Sequence, residues 1–328
     1  MAPLLGSVLD DRRSASLILR DRHQLNDLIV VDVLASDTPR GRQGVTLGGN
    51  LSGLWKVPTE TPLEQWAYQE GATPSQFPRK KERRPTAEFI TYASTFAEYQ
   101  QIESLLWSVL DTKWDCWLRI YFPPPHGWRE LRVRLLNEPD DKSNEIPGRR
   151  LNRVWPVQLL ACDPFWYSEP YQYEFVRDNQ GDGRPYMTPV GGGAYEIMVP
   201  WSNPTDEHGW AEWNSGELTG TAETWSFPDG DSGNLIALPS LSGANKSFWV
   251  QTNPSKPQLW VRDVAQDWAR MKAKTFTKPL LANTPDVRTV KVRLQGGTPT
   301  SSMMLTIPRR WDRPIGGQLP IVREAVLA

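Results

Sequence analysis

The sequence predicts a mainly-β fold in two domains, and three observations carry that expectation. Its 29 Pro and 24 Gly are spread along all 328 residues. They punctuate short runs of alternating apolar and polar side chains, the pattern of strands joined by tight turns. Sixteen Trp offset a hydrophobic content of 39%, because each aromatic can bury roughly 150–250 Å². The third observation is Leu159–Pro170, LLACDPFWYSEP, where an alternating strand (Val154 to Leu159) runs into Asp163-Pro164 and then Phe165, Trp166 and Tyr167. Pro164 cannot donate to a ladder, and it pushes Asp163 into extended or turn geometry. Such a stop suits a seam, with the three aromatics expected to be buried between two packed domains. The plainer reading is a strand end with core aromatics. A chain of this length suits about two domains.

The elements follow in order. Ser16–Leu34 holds two strands about a turn at residues 23–27, and Ala35–Gly53 is Gly-rich and irregular. Lys56–Pro85 is Pro-rich and ends in the basic run Arg79, Lys80, Lys81, Arg83 and Arg84. A loop this long inside a compact domain is usually a functional or partner-binding arm. One helix is expected over Thr95–Leu110. Thr95 and Glu98 have capping-box spacing, and Phe96, Tyr99, Ile102, Leu106 and Val109 recur on one face. Strands are expected at Trp114–Phe122 and around Leu131, Val133 and Leu135, on either side of a rigid Pro loop at 123–127. A polar loop, Asn137–Arg149, comes next. Beyond the seam, short strands recur at Ala194–Trp201, Trp210–Asn214, Thr221–Phe227, Leu235–Leu238, Phe248–Thr252, Leu259–Val264, Val287–Leu294 and Met303–Pro308. That series reads as a sandwich or barrel.

Composition and motifs narrow the chemistry. With 37 basic and 38 acidic residues, the chain lacks the net basic field of a strong nucleic-acid binder. No apolar run reaches the length of a membrane span, and the N-terminal segment does not read as a signal peptide. Cys116 and Cys162 are expected as buried thiols, not a disulfide framework. Asp178–Gly183 imitates the opening of a calcium loop, but Pro189 stands where its terminal bidentate Glu would be. Asp229 and Asp231 read first as hairpin-turn residues and second as a weak surface ion site. His23, His126 and His208 are too scattered for zinc, and no nucleophile elbow or phosphate loop is present. No metal, cofactor or catalytic residue is therefore assigned. Trp201, Trp210, Trp213, Trp225, Trp249, Trp260 and Trp268 read first as core and interface residues, and second as a surface for weak glycan contact.

Leu159–Pro170 also resembles the junction of distal tail proteins of long-tailed phages. Asn203–Trp213 is similar to that family's Asn-Pro strand opening. Val287–Gly316, with Arg309, Arg310, Trp311, Arg313 and Pro314, is similar to the closing element of such minor tail proteins in phages of actinobacteria. The resemblance implies a ring-forming, β-barrel-like domain with one helix over residues 1–168 and a galectin-like β-sandwich over 169–328. It further implies a non-enzymatic subunit of the virion tail tip, assembled in the host cytoplasm. Six copies would form a ring joining the tail tube protein to the baseplate hub protein, with a channel for tape-measure protein and DNA. Neither membrane association nor specific nucleic-acid binding is expected. Asp163, Pro164, Phe165, Trp166 and Tyr167 are the seam residues. Arg79, Lys80, Lys81, Arg83 and Arg84 are the candidate subunit-contact cluster. A carbohydrate-binding sandwich module, a glycosidase, and another minor tail protein (hub or receptor-binding) are the alternatives.

Overall fold

The computed structural model describes residues 14–21, 26–34, 44–75, 78–123, 127–139, 151–219, 221–241, 244–262, 267–272 and 274–316. Residues 23–25 of the first expected turn, 124–126 of the Pro loop, 140–149 of the polar loop and the end of the strand expected at Leu259–Val264 lie outside them. Of the described residues, 52% are strand and 7% helical, so the mainly-β expectation holds. It divides into two compact units, Met1–Ser168 with Trp311–Gly316, and Glu169–Arg310 with Gly317–Ala328. The sequence reading ran its second domain unbroken to residue 328, whereas the chain returns to the first unit at Trp311.

The first unit holds β1 (Ser14–Arg20), β2 (Asp27–Leu34), β3 (Val45–Leu47) and the short strands β4 (Thr59–Glu60), β5 (Leu63–Glu64), β6 (Thr73–Pro74) and β7 (Arg79–Lys80). There follow β8 (Thr86–Tyr92), α1 (Phe96–Val109), β9 (Cys116–Phe122), β10 (Gly127–Leu135), β11 (Asn152–Leu160) and the start of β12 (Trp166–Val176). Antiparallel pairing runs β3-β8-β11-β10-β9-β1-β2, and β10 also pairs with β12. β2 approaches β3, and α1 packs against β1, β2 and β8, so the sheet curls around its core. Alternate residues fill that core: Leu17; Val31 and Val33; Cys116 and Leu118; Leu131 and Val133; Val157 and Leu159.

The helix begins where capping chemistry places it. The Thr95 hydroxyl accepts from the Glu98 amide at 3.2 Å, and the Glu98 carboxylate accepts from the Ser94 amide at 2.8 Å. Tyr99, Ile102, Leu106 and Val109 are buried, whereas Phe96, in the first turn, is exposed. Close approach shapes one glycine here. A Cβ at Gly44 would fall 2.5 Å from Ile102 Cδ1 and 2.7 Å from the Tyr92 carbonyl.

The second unit takes the rest of β12, then β13 (Thr188–Gly191), β14 (Ala194–Asn203), β15 (Glu212–Ser215), β16 (Leu218–Thr219), β17 (Glu223–Pro228) and β18 (Leu235–Ala237). It continues through β19 (Ala244–Lys246), β20 (Phe248–Gln251), β21 (Leu259–Val261), a 3-10 turn at Asp267–Met271, β22 (Thr284–Gly296) and β23 (Ser302–Trp311). Within it, β12-β23-β15-β20-β21 form one sheet and β13-β14-β22-β17-β18 another. Residues from both sheets share one core, so the unit is a sandwich. Trp213 of one sheet stacks on Phe227 of the other at 4.8 Å between ring centroids. Trp201, Trp213 and Trp225 are fully buried, as the core reading of the Trp residues requires.

The cysteines differ from the expectation. Cys116 lies in the β9 core, where burial pushes its thiol up to about 12, but Cys162 is exposed in the bend after β11. A buried thiol with a raised pKa is inert to alkylation. Native protein should therefore label at one thiol per chain, Cys162, with the second appearing only on unfolding. Mass measurement after iodoacetamide treatment checks this. Thr95→Ala should lower stability by about 1 kcal/mol in urea titration, the usual cost of losing an N-cap.

Candidate functional site

The two groups of residues singled out from the sequence, the seam and the arm, meet in the first unit. The arm is more ordered than the loop expected from its Pro content. Two nested ladders build it, Thr59↔Lys80 with Glu60↔Arg79 and Leu63↔Pro74 with Glu64↔Thr73. All eight of these residues are exposed, so the ribbon has no core of its own. Its tip is closed by polar bonds. The Gln69 amide donates to the Trp66 carbonyl at 3.0 Å, the Trp66 amide donates to Gln69 Oε1 at 3.2 Å, and Gln69 Nε2 donates to Thr73 Oγ1 at 2.8 Å. Tyr68 is held there at φ 68°, a left-handed conformation that costs a side chain of this type roughly 1–2 kcal/mol. It is fully exposed, and Leu63 and Trp66 are 68% and 69% exposed. A strained, solvent-facing aromatic beside two exposed apolar side chains is unfavourable in water.

The basic run does not form one solvent-facing cluster. Arg83 is fully buried. Its guanidinium donates to the Pro164 and Asp312 carbonyls and, at 2.8 Å and 3.4 Å, to those of Leu54 and Gly53. Burial pulls Arg83 down to about 10, so it stays charged at neutral pH with carbonyl dipoles as its acceptors. It is therefore corrected from a partner-contact residue to an internal strut. Lys80 pairs with Asp312 at 2.9 Å and sits 5.1 Å from the Phe165 ring centroid. Lys81 pairs with Glu60 at 2.8 Å, and Arg84 with Glu82 at 3.0 Å. Arg79 is exposed on β7. Exposed pairs of this kind contribute little stability, but they reduce the free positive charge that the run offers.

The seam residues occupy the other side of the Arg83 site. The Asp163 carboxylate accepts from the Phe165 amide at 3.4 Å and from the Tyr167 hydroxyl at 2.6 Å, a local clasp around Pro164. Phe165 is buried and Tyr167 half-buried, edge-on to Trp117 at 6.2 Å. Trp166 is fully buried in the core of the first unit, where its indole donates to the Leu54 carbonyl at 3.1 Å. The expected load between two domains is thus, for Trp166, a load inside one of them.

Sequence reasoning missed the C-terminal return. Trp311 is buried in the same core and donates to Ser168 Oγ at 2.9 Å. The Arg129 guanidinium lies 3.9 Å from the Trp311 ring centroid and donates to the Arg313 and Gly316 carbonyls. Arg310 instead donates to the His208 carbonyl at 2.9 Å in the second unit. The only sequence signal was the Arg-Arg-Trp spacing itself, which does not say which core the Trp enters.

The candidates for chemistry have structural partners. Asp178 is bonded by Arg177 and Asp182 by Arg184. The Asp229 carboxylate accepts from the Thr277 and Lys278 amides and the Thr277 hydroxyl at 2.7–3.0 Å. His208 Nδ1 accepts from the Ala282 amide at 3.0 Å. Among the described residues, no group of three or more His, Cys, Asp or Glu could hold a metal ion, and no helix is long and apolar enough to cross a membrane. Trp249 and Trp260 face solvent, opposite one another on β20 and β21, at 37% and 52% exposure.

No protein-family model matches the chain, and no curated protein is significantly similar in sequence. Solved structures are similar in fold. One is the Dit protein of phage SPP1, a paradigm of the hub adsorption apparatus in phages that infect Gram-positive bacteria. It matches with a TM-score of 0.51 at 11% identity, over 89% of this chain and 98% of that one. Chains of the phage P2 baseplate in its activated conformation, with Ca and with Sr, match at TM-scores of 0.51 and 0.52 and identities of 10% and 11%. They cover 92% of this chain and 99% of theirs. The likeness is one of fold, and it extends over both units.

Two substitutions probe the Arg83 site. Arg83→Met should cost about 3–5 kcal/mol, because several buried carbonyls lose their donor at roughly 1–3 kcal/mol each. Arg83→Lys should recover less than half of that, since a point charge cannot fork to acceptors on different segments. Denaturant titration of both variants checks the prediction.

Proposed function

We propose that this protein is a structural subunit of the tail tip of a long-tailed phage. In this reading it is a distal tail protein, six copies of which close into a ring joining the tail tube protein to the baseplate hub protein. The ring leaves a channel for tape-measure protein and DNA. The observation that carries the reading is the breadth of the fold likeness. It covers 89% of this chain and 98% of the SPP1 Dit chain, and so includes both the curled sheet with its helix and the sandwich. The second unit is read as the galectin-like domain of that architecture.

The function is geometric. Head-to-tail contacts between identical subunits make a closed ring when their rotation closes. The arm supports such contacts: Leu63, Trp66 and Tyr68 are presented on a ribbon with no core behind them. We place the neighbour contact at this apolar tip, with Arg79, Lys81 and Arg84 flanking its base. No catalytic residue or cofactor enters the reading, and the −1 formal charge suits a channel that does not grip passing DNA. The ring would be a virion component assembled in the host cytoplasm. A second reading, a monomeric carbohydrate-binding module, draws on exposed Trp249 and Trp260.

Native mass measurement with negative-stain imaging tests the choice. Six subunits in a six-fold ring are expected, with more than about 1,000 Å² buried at each subunit contact. Replacing residues 61–75 by a short Gly-Ser turn should leave a folded chain that no longer forms rings. A monomer under all conditions, with or without the arm, would overturn the proposal.

A further inference from the structure

A hollow of about 390 Å³ opens on the second unit, lined among others by Pro254, Lys256, Pro257, Gln258, Met271 and Lys274, with no Asp or Glu among the described residues that line it. Its volume falls in the range of small-ligand sites. Its floor is fixed, because Gln258 and Met271 are buried. The Gln258 side chain is also fully engaged: Nε2 donates to the Phe276 carbonyl and Oε1 accepts from the Phe276 amide, both at 2.8 Å. The rim is cationic and exposed at Lys256 and Lys274, and the neighbouring Lys272 is held at φ 48°. Residues 253–280 carry Lys256, Arg262, Arg270, Lys272, Lys274 and Lys278 against Asp263 and Asp267, in a chain whose overall formal charge is −1. That segment is thus net basic within a chain that is close to neutral.

The strand that leaves Gln258 carries Trp260, which is exposed opposite Trp249. Asn214, opposite Trp249 on β15, extends this row with a polar amide. A Lys rim is a point-charge receptor for phosphate, and exposed Trp faces suit a flat ring. We propose that the hollow and its Trp flank bind a phosphate-bearing saccharide, one repeat of an anionic surface glycopolymer. The phosphate would sit between Lys256 and Lys274, and the sugar ring against Trp260. Charge complementarity favours this occupant over a neutral glycan, and the recessed, fixed floor favours it over a flat protein partner. The proposal rests on the tail-tip reading only for where such a polymer would be met.

The test is calorimetric titration of the purified full chain with glucose 1-phosphate, glucose, inorganic phosphate and a ten-nucleotide single-stranded DNA. Glucose 1-phosphate should bind at least tenfold tighter than glucose or inorganic phosphate. Lys256→Glu and Lys274→Glu should each weaken it about tenfold, and Trp260→Ala severalfold, with unchanged melting temperatures. Native mass of the same variants should show assembly intact, which separates failure at this site from failure of the ring. Equal binding of inorganic phosphate would mean an unspecific cationic patch, and tighter binding of the DNA would mean a nucleic-acid groove. Either result would overturn the proposal, as would charge-reversal variants that bind like wild type.

Discussion

A single buried guanidinium organises the first unit. Arg83 ties together four stretches far apart in sequence: the residues before the arm (Gly53 and Leu54), the arm's own base, the Pro164 turn, and the returning C-terminal segment at Asp312. Its hydrogen-bond acceptors are backbone carbonyls, with the Asp312 carboxylate adding charge attraction. These carbonyls are freed where ladders break, at Pro164 and at the end of β23, so one side chain satisfies groups that would otherwise be buried without partners. Trp166 reinforces the junction by donating to Leu54, and Lys80 by pairing with Asp312. The arm can extend without a core because its root is fixed in this way.

The second unit solves a different problem, that of placing buried indoles and turns inside a sandwich core. Trp213 and Phe227 stack between the two sheets, and Phe227 lies parallel to Trp225 at 6.0 Å. The Trp225 indole needs a buried acceptor and finds Glu223 at 2.8 Å, whose carboxylate also takes the Ser301 hydroxyl. Asp229 serves the turn beyond the same strand, accepting from the Thr277 and Lys278 amides. A Cβ at Gly230 would lie 2.6 Å from the Pro279 carbonyl, so the Asp-Gly pair there is required by close chain approach. The Glu223 and Asp229 carboxylates are thus the acceptors that hold aromatic and turn geometry in place.

This explains what could be read in advance. Helix α1 was legible to within a residue or two because its cap and apolar face are local, and the strands were legible because alternation is local. The short ladders of the arm were not, since each two-residue pairing depends on a partner up to some twenty positions away. Arg83 was misread because it stands in a basic run of five whose members differ only in which way they point. Cys162 was misread because the strand pattern ends at Leu160, one turn before it. The return of Trp311 to the first core depends on Arg129, a contact across 182 positions with no periodic signature. Local chemistry was readable, and long-range satisfaction of polar groups was not.

The Trp residues show how the remaining surface is to be understood. Trp166, Trp201, Trp213 and Trp225 are fully buried, while Trp66 and Trp260 keep more than half of their surface in water. Burying the exposed parts of Leu63, Trp66 and Tyr68 would yield roughly 2 kcal/mol for the Leu and roughly 4 for each aromatic at about 25 cal/mol per Å², or roughly 10 kcal/mol for one arm tip. Bringing two subunits together costs an estimated 4–15 kcal/mol in lost freedom, a range that spans the yield of one arm tip. An arm contact alone would therefore hold a pair of subunits weakly. In a closed ring the last subunit makes two such contacts for one loss of freedom, and the effective concentration at its second contact is set by the ring. If the proposed ring forms, an arm contact of this strength favours the complete assembly over partial ones.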